Sequence, residues 1–238
     1  MKNVLITGGT RGIGRATVEL FASRGWGVAF TYKSSDGAAA ELSKKTGAYA
    51  IKADSADPSA IRRALSEAFS VLGHIDSLVN NAGESSFSLF TELSDEAWRH
   101  TMAVNLDAPF LYSRGVIPEM IKNGGGAIIN ISSMWGLVGS SCEVHYSTAK
   151  AGLIGMTKAL AKELGPSAIR VNAIAPGLID TDMNSSLSPE DIAALAADTP
   201  LMRVGAAGEI ASLVYFLASE ESSFVTGAVL NASGGYVV

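Results

Sequence analysis

The sequence predicts an α/β fold built on a parallel sheet, and two patterns carry that prediction. Short apolar runs alternate with longer amphipathic ones along the chain. Most of the short runs are continuous Val, Ile, Leu and Ala instead of alternating apolar and polar, as strands covered on both faces read. Strand and helix in turn at this interval imply right-handed crossovers and parallel pairing.

The strand candidates, in order, are residues 3–7, 27–32, 48–53, 77–80, 127–132, 170–175 and 228–231. Helical periodicity fills the intervals. After the first strand Ile13, Ala16, Thr17, Leu20 and Phe21 recur at i, i+3, i+4, i+7 and i+8, and Ile210, Leu213, Val214 and Leu217 repeat that spacing. A further helix opens at Tyr146 and runs to about Gly165, where Pro166 stops it. Gly124-Gly125-Gly126 reads as a turn ahead of a strand. No linker, repeat or low-complexity segment divides the chain, so residues 1–238 are expected to form one domain. The irregular stretch 177–200 follows a strand end and is a candidate substrate lid. Within it Ser188 reads as an N-cap, with Pro189, Glu190 and Asp191 as the first turn of a short helix.

Composition narrows the function. A 47% hydrophobic content supports a sizeable core. A net charge of −5 argues against a general nucleic-acid binder, which needs a basic face to neutralise phosphates. Cys142 is the sole cysteine, so no internal disulfide forms and a reducing compartment is expected. No apolar stretch approaches the roughly 20 residues that span a bilayer, and no signal-peptide pattern opens the chain. A soluble, cytoplasmic protein is expected. His74, His100 and His145 are widely spaced and predict no metal site. His145 reads as a filler at a helix N-terminus and Cys142 as an idle thiol.

The first strand runs into Thr7-Gly8-Gly9-Thr10-Arg11-Gly12-Ile13-Gly14. Strand, glycine-rich turn and helix are the context of a dinucleotide fingerprint. Gly8 permits the tight turn, while Gly12 and Gly14 let a pyrophosphate and the sheet approach the backbone. The helix N-terminus then offers free N–H groups and a positive dipole end. No Gly-Lys-Ser/Thr follows, which excludes a P-loop. An NAD site places a carboxylate at the end of the second strand to hold the ribose hydroxyl. Here that strand ends Thr31-Tyr32-Lys33-Ser34-Ser35, and Asp36 lies beyond it. With Arg11 in the loop and Lys33 at the strand end, NADP(H) is expected. The alternative for both cations is a solvated surface role.

Among the tyrosines only Tyr146 has a lysine, Lys150, four residues on. On a helix this pair shares one face. An ammonium near a phenol stabilises the phenolate and lowers a pKa of about 10, so the phenol can exchange a proton with a carbonyl or alcohol oxygen. The pair alone is also an ordinary helix-surface pattern. Asn130-Ile131-Ser132-Ser133 closes a strand thirteen residues before Tyr146, where ligands bind in open parallel sheets. Asn80-Asn81-Ala82-Gly83 closes the fourth strand in the same way. Asn105 lies mid-helix, four residues before Pro109, which breaks the local ladder and frees a carbonyl.

The ordered set Thr7-Gly-x3-Gly12-x-Gly14, Asp54, Asn80-Asn81-Ala82-Gly83, Asn105, Ser133, Tyr146-x3-Lys150 and Pro176-Gly177 resembles the short-chain dehydrogenase/reductase family over essentially the whole chain. The resemblance implies a Rossmann fold with a seven-stranded parallel sheet and helices on both faces. It implies Tyr146 as general acid/base, Lys150 lowering its pKa and bonding the nicotinamide ribose, Ser133 orienting the carbonyl, and Asn105 holding a water toward Lys150. It assigns Gly8, Thr10, Arg11, Gly12, Ile13 and Gly14 to phosphates and adenosine. Tyr32, Lys33, Asp54, Ser55, Asn81, Ala82 and Gly83 would contact the cofactor, and Pro176, Gly177, Ile179 and Thr181 the carboxamide end of its nicotinamide.

The tail from Pro200 through Asn231-Ala-Ser-Gly-Gly is similar to 3-oxoacyl-[acyl-carrier-protein] reductases, which implies an acyl-thioester substrate, fatty acid biosynthesis and an acyl carrier protein as partner. The arginines that meet the carrier in that subgroup correspond here to Gly124 and Ser167, with Lys122 and Arg170 nearby but not equivalent. An acidic partner needs a positive face, so another ketone, sugar or hydroxyacyl substrate stays open. Trp135 reads equally as a pocket wall or as core. The resemblance also implies a homotetramer, with Ala149, Gly152 and Gly155 permitting close helix packing. A redox sensor without turnover would have no need of Asn105, Ser133, Tyr146 and Lys150 together. An epimerase on an extended fold is expected to carry a longer C-terminal segment.

Overall fold

The computed structural model describes residues 1–184 and 187–237. Its strands, in chain order, are β1 (Asn3–Ile6), β2 (Gly27–Tyr32), β3 (Tyr49–Lys52), β4 (Ser77–Asn80), β5 (Gly126–Ile131), β6 (Ile169–Pro176), β7 (Ile179–Asp180), β8 (Gly205–Ala206) and β9 (Val229–Ala232). Seven of them form one parallel sheet in the order β3-β2-β1-β4-β5-β6-β9. The strand order reverses between β1 and β4, where the chain leaves one half of the sheet and begins the other. In such sheets the crevice at the C-terminal ends of those two strands is the place for a ligand.

Helices α1 (Gly12–Ser23), α2 (Asp36–Thr46), α3 (Pro58–Leu72), α4 (Asp95–Met102), α5 (Ala108–Lys122), α6 (Trp135–Val138), α7 (Val144–Leu164), α8 (Pro189–Asp198) and α9 (Ala207–Ala218) connect the strands. Side chains alternate between the two faces of a strand, and both faces are covered. Leu5, Leu78, Ile128 and Val171 pack with α3, α5 and the end of α7. Val4, Ile6, Val79 and Ile129 pack with α1, α2 and α9. Burying one such side chain contributes about 1.5–3 kcal/mol, so strands without polar interruption need cover on both sides. This is why the sequence shows continuous apolar runs.

Three local features went beyond the sequence reading. The segment Ala103–Asp107 between α4 and α5 is a π-helical turn with Asn105 inside it. Pro109, which has no N–H, stands at the start of α5 and denies the Asn105 carbonyl its ordinary helical donor. β7, at the start of the expected lid, pairs in a small parallel ribbon with β8, which lies beyond the lid's expected end, and both are too short to give any periodicity. Helix α8 opens with a capping box: the Asp191 N–H donates to Ser188 Oγ at 3.1 Å, and the Ser188 N–H donates to the Asp191 carboxylate at 3.2 Å. Residues 185 and 186 of the expected lid lie outside the described residues. Among the described residues, no helix is long and apolar enough to cross a membrane.

Candidate active site

The C-terminal ends of the central strands open into a cavity of about 810 Å³. Its floor is the glycine loop between β1 and α1. Gly8 takes φ +69° and Gly12 φ +51°, conformations that L side chains avoid. Gly14 lets α1 approach the ends of β1 and β4 closely. A Cβ there would stand 2.1 Å from the Gly8 carbonyl oxygen and 2.6 Å from Asn81 Nδ2, so the loop must fold back on itself. Arg11, the N-cap of α1, makes no side-chain cap bond, and the first turn has no acidic residue. The first N–H groups of α1 are thus uncapped by side chains and face the cavity, as a pyrophosphate requires.

Thr7 ties the two halves of the sheet at this point. Its Oγ1 accepts from the N–H groups of Asn81 at 3.0 Å and Ala82 at 2.9 Å. Asn81 Nδ2 in turn donates to the carbonyls of Thr7 at 2.8 Å and Gly8 at 3.0 Å. The loop after β4 and the glycine loop are therefore one rigid wall.

At the end of β2 the cavity is lined by Tyr32, Lys33, Ser34 and Ser35, but not by Asp36. The Asp36 carboxylate accepts from Lys52 Nζ at 2.8 Å and from the Tyr32 hydroxyl at 3.1 Å. Lys33 is not a free cation: its Nζ lies 3.0 Å from Asp54 Oδ2. The Asp54 carboxyl is held below its usual range. Burial, the largest single influence, pushes it up, but the Ala56 N–H and Lys33 outweigh it. Arg11 and Lys33 are both exposed at this end. The donor set suits an adenosine that carries a phosphate on its ribose, since no unpaired carboxylate would repel it.

The opposite end gathers Ser133, Tyr146 and Lys150. Tyr146 and Lys150 lie on the first turns of α7 and are buried. Lys150 Nζ donates to the Ile131 carbonyl at 2.9 Å, and Ser132 Oγ donates to the Lys150 carbonyl at 3.0 Å. Ser133 Oγ accepts from the Trp135 N–H at 3.1 Å, which orients the hydroxyl beside Tyr146. Every residue expected to contact a cofactor lines this cavity, from Gly8, Thr10, Arg11, Gly12, Ile13 and Gly14 through Asp54 and Ser55 to Pro176, Gly177, Ile179 and Thr181.

Asn105 is different, because it is wholly buried and does not line the cavity. Its Nδ2 donates to the carbonyls of Glu84 at 2.9 Å and Thr101 at 3.1 Å. Both amide protons are spent on backbone. A Cβ on Gly83 would meet Asn105 Oδ1 at 2.9 Å and Lys150 Nζ at 3.2 Å, so these groups converge on the space that this glycine leaves empty. With both amide protons committed to backbone, the Asn105 side chain has no donor left for a water.

The electrostatics correct one expectation. Burial pushes the Tyr146 phenol up to about 12, opposed by the Ser133 hydroxyl and reinforced by the Glu143 carboxylate. Burial also brings the Lys150 ammonium down to about 8. Lys150 is not among the influences on the Tyr146 phenol. The reason is physical: Lys150 Nζ is 5.5 Å from the Tyr146 ring centroid and bonded to a backbone carbonyl, while desolvation penalises the charged form of both groups.

Trp135 proves to be a half-buried cavity wall, stacked edge-on against Tyr236 with centroids 5.9 Å apart. Glu143 and Ser85 also line the cavity and were missed by sequence reasoning. The one signal for Glu143 was its place three residues before Tyr146, a spacing that brings residues together on a helix. Cys142 borders no part of the cavity. His145 is buried with Nε2 3.0 Å from Ser86 Oγ, and His74 and His100 pair with Asp76 and Glu84. Arg170 is a structural staple, donating to the carbonyls of Leu217 at 2.7 Å and Ser219 at 3.0 Å.

Comparison with known proteins follows the same outline. The family model described as enoyl-(acyl carrier protein) reductase matches residues 8–237. The 3-oxoacyl-[acyl-carrier-protein] reductase FabG of Aquifex aeolicus (strain VF5) is 43% identical over 236 residues, 97% of this chain and 95% of that protein. Two solved structures superpose with a TM-score of 0.94, and each comparison covers 100% of this chain and 98% of the other. One is a mutant short-chain dehydrogenase/reductase of Serratia marcescens, 37% identical. The other is a blue fluorescent protein from a metagenomic library in complex with NADPH, 38% identical.

Proposed function

This chain belongs to the short-chain dehydrogenase/reductase family, and from that premise we propose that it reduces the ketone of a 3-oxoacyl thioester to an alcohol. It is an NADP(H)-dependent oxidoreductase acting between C=O and CH–OH. The observation that carries the finer reading is the union, in one cavity, of a helix-terminal phosphate cradle with Ser133, Tyr146 and Lys150. The similarity to a 3-oxoacyl-[acyl-carrier-protein] reductase along nearly the whole chain supports the thioester class.

NADPH, when bound, supplies the hydride for the carbonyl carbon. Tyr146 donates the phenolic proton to the carbonyl oxygen. Its pKa of about 12 keeps it protonated across the neutral range, the state a proton donor needs. Ser133 directs its hydroxyl proton at the same oxygen and stabilises the charge that develops there. Lys150 holds positive charge beside the phenol and would bond the ribose hydroxyls of the bound nucleotide, and Asn105 would help to hold a water that returns the proton. Arg11 and Lys33 would hold the 2′-phosphate, Lys33 sharing its charge between that group and Asp54. Residues 177–200 act as the lid. We place the enzyme in the cytoplasm as a homotetramer formed through α5, α7 and β9. The exposed edge of Phe110, the open space at Gly155 and the position of β9 at the sheet margin suit that assembly.

Two measurements test this reading. NADPH oxidation is followed with acetoacetyl thioesters, simple ketones and ketosugars. Thioesters are expected to lead in kcat/KM, and a chain that oxidises NADPH with none of them is not a reductase. Titration of both nucleotides is expected to give about three- to tenfold tighter binding of NADPH, because each exposed ion pair contributes about 0.2–1 kcal/mol. Equal affinity defeats the assignment of Arg11 and Lys33.

The pH dependence follows from Lys150. Burial lowers its pKa to about 8, so the ammonium is present below that pH and is lost as pH rises through it. Since Tyr146 stays protonated there, kcat/KM for reduction is expected to be level below about pH 8 and to fall toward tenfold per unit above it. A profile flat to pH 9.5 contradicts the role of Lys150.

A further inference from the structure

Glu143 is a carboxylate without a structural occupation. It stands before α7 as its N-cap residue, yet its side chain makes no cap bond. It is buried, 5% exposed, and lines the cavity. Ser85 Oγ donates to one of its oxygens. No other hydrogen bond to its carboxylate is made among the described residues, and no Lys, Arg or His pairs with it there. Glu84, the next acidic residue along this wall, does have such a partner in His100. An ionised carboxylate out of water is costly unless its lone pairs are filled. Ser85 fills one of about four.

Position gives that vacancy a meaning. Glu143 stands three residues before Tyr146 at the start of α7 and lines the same cavity, so it neighbours the carbonyl whose oxygen Tyr146 protonates. The cations lining the cavity are Arg11 and Lys33 at the phosphate end and Lys150 beneath the phenol. The remaining wall around Glu143 carries Ser85, Ser86, Ser140 and the apolar faces of Phe87 and Trp135. A negative substituent beside the reacting carbonyl would face a carboxylate with no compensating cation. A substituent that donates a hydrogen bond would complete the half-filled site.

Resting on the reading of the chain as an NADP(H)-dependent carbonyl reductase, we propose that Glu143 favours, among simple ketones and among 3-oxoacyl thioesters alike, those carrying a hydrogen-bond donor, a hydroxyl or an ammonium, within a few carbons of the ketone, and turns away carboxylates. The site's own chemistry points to this class: an acceptor with free lone pairs, ringed by hydroxyls, at the mouth of the reacting position.

The test uses the full chain with NADPH and four probes: pentan-2-one, the isosteric 4-hydroxybutan-2-one and 4-aminobutan-2-one, and acetoacetate. The wild type is expected to prefer a donor-bearing ketone over pentan-2-one by about tenfold or more in kcat/KM, the size of a hydrogen bond to a charged group, and to use acetoacetate least. If the amine leads, the natural substituent is cationic; if the hydroxyl leads, it is neutral. Glu143→Leu is expected to bring the ratio to about one. Glu143→Gln keeps the shape and an acceptor, and is expected to retain hydroxyl preference while losing any preference for the amine. A hydroxyl-to-methyl ratio in Glu143→Leu within twofold of the wild type overturns the proposal, and if that variant does not fold, an unchanged amine-to-hydroxyl ratio in Glu143→Gln does so. If NADPH is oxidised neither with these ketones nor with an acetoacetyl thioester, the reductase reading fails. Binding of 4-hydroxybutan-2-one and pentan-2-one, read by NMR titration of wild type and variants, then decides Glu143 alone. Preference lost with the carboxylate supports the site, and equal binding to the wild type overturns it.

Discussion

Tyr146→Phe is expected to lower kcat/KM for ketone reduction by about 10²–10⁴-fold, the usual worth of a positioned proton donor, while the Kd for NADPH moves by less than about threefold. The substitution removes one oxygen and keeps the ring. Tyr146 is 7% exposed and packed into the wall beside Ser133, so the fold and cavity survive. What disappears is the only phenol at that position able to give a proton to the carbonyl oxygen. At about 1.4 kcal/mol per decade, the loss is about 3–5 kcal/mol of barrier. Single-turnover rates and a nucleotide titration on the same preparation separate chemistry from binding. A variant that turns over near the normal rate removes Tyr146 from the mechanism.

Gly14→Ala is expected to damage folding and cofactor binding together. The new methyl would stand 2.1 Å from the Gly8 carbonyl oxygen and 2.6 Å from Asn81 Nδ2. Neither neighbour can give way cheaply. Gly8 is backbone in a left-handed turn, and Asn81 Nδ2 is bonded to two carbonyls. The start of α1 must shift, at a cost of about 1–3 kcal/mol for forced overpacking, which at about 2–4 °C per kcal/mol lowers Tm by several degrees. The N–H groups proposed to cradle the phosphates move with it, so NADPH affinity is expected to fall by at least about tenfold. Gly37→Ala is the control. It lies in α2, with open space around its added Cβ, and is expected to be neutral or slightly stabilising because alanine favours helix. Equal Tm and Kd in Gly14→Ala and the wild type would show that the loop is looser than its geometry.

Much of the fold was legible because its signals are local. Continuous apolar runs can be satisfied only by cover on both faces, and the seven strands read from them are the seven of the sheet. Ser188 and Asp191 are close in sequence, so their capping box was half visible. The β7–β8 ribbon was not, since two-residue strands have no period. Lys33 was legible as a cation at the right place, but its pairing with Asp54 joins residues 21 positions apart and follows from the packing of β2 beside β3.

The sequence by itself determined the order of elements, the phosphate loop and the Tyr146–Lys150 pair, because each depends on neighbours within a few residues. Only the tertiary structure decided what those groups feel. Burial raises the Tyr146 phenol and lowers Lys150, where the helix spacing alone pointed to a lowered phenol. Chain packing commits the Asn105 amide to the backbone of Glu84 and Thr101 and brings Ser85 onto Glu143. Desolvation and long-range hydrogen bonds depend on what the folded chain sets around a group, and residue spacing carries no record of that.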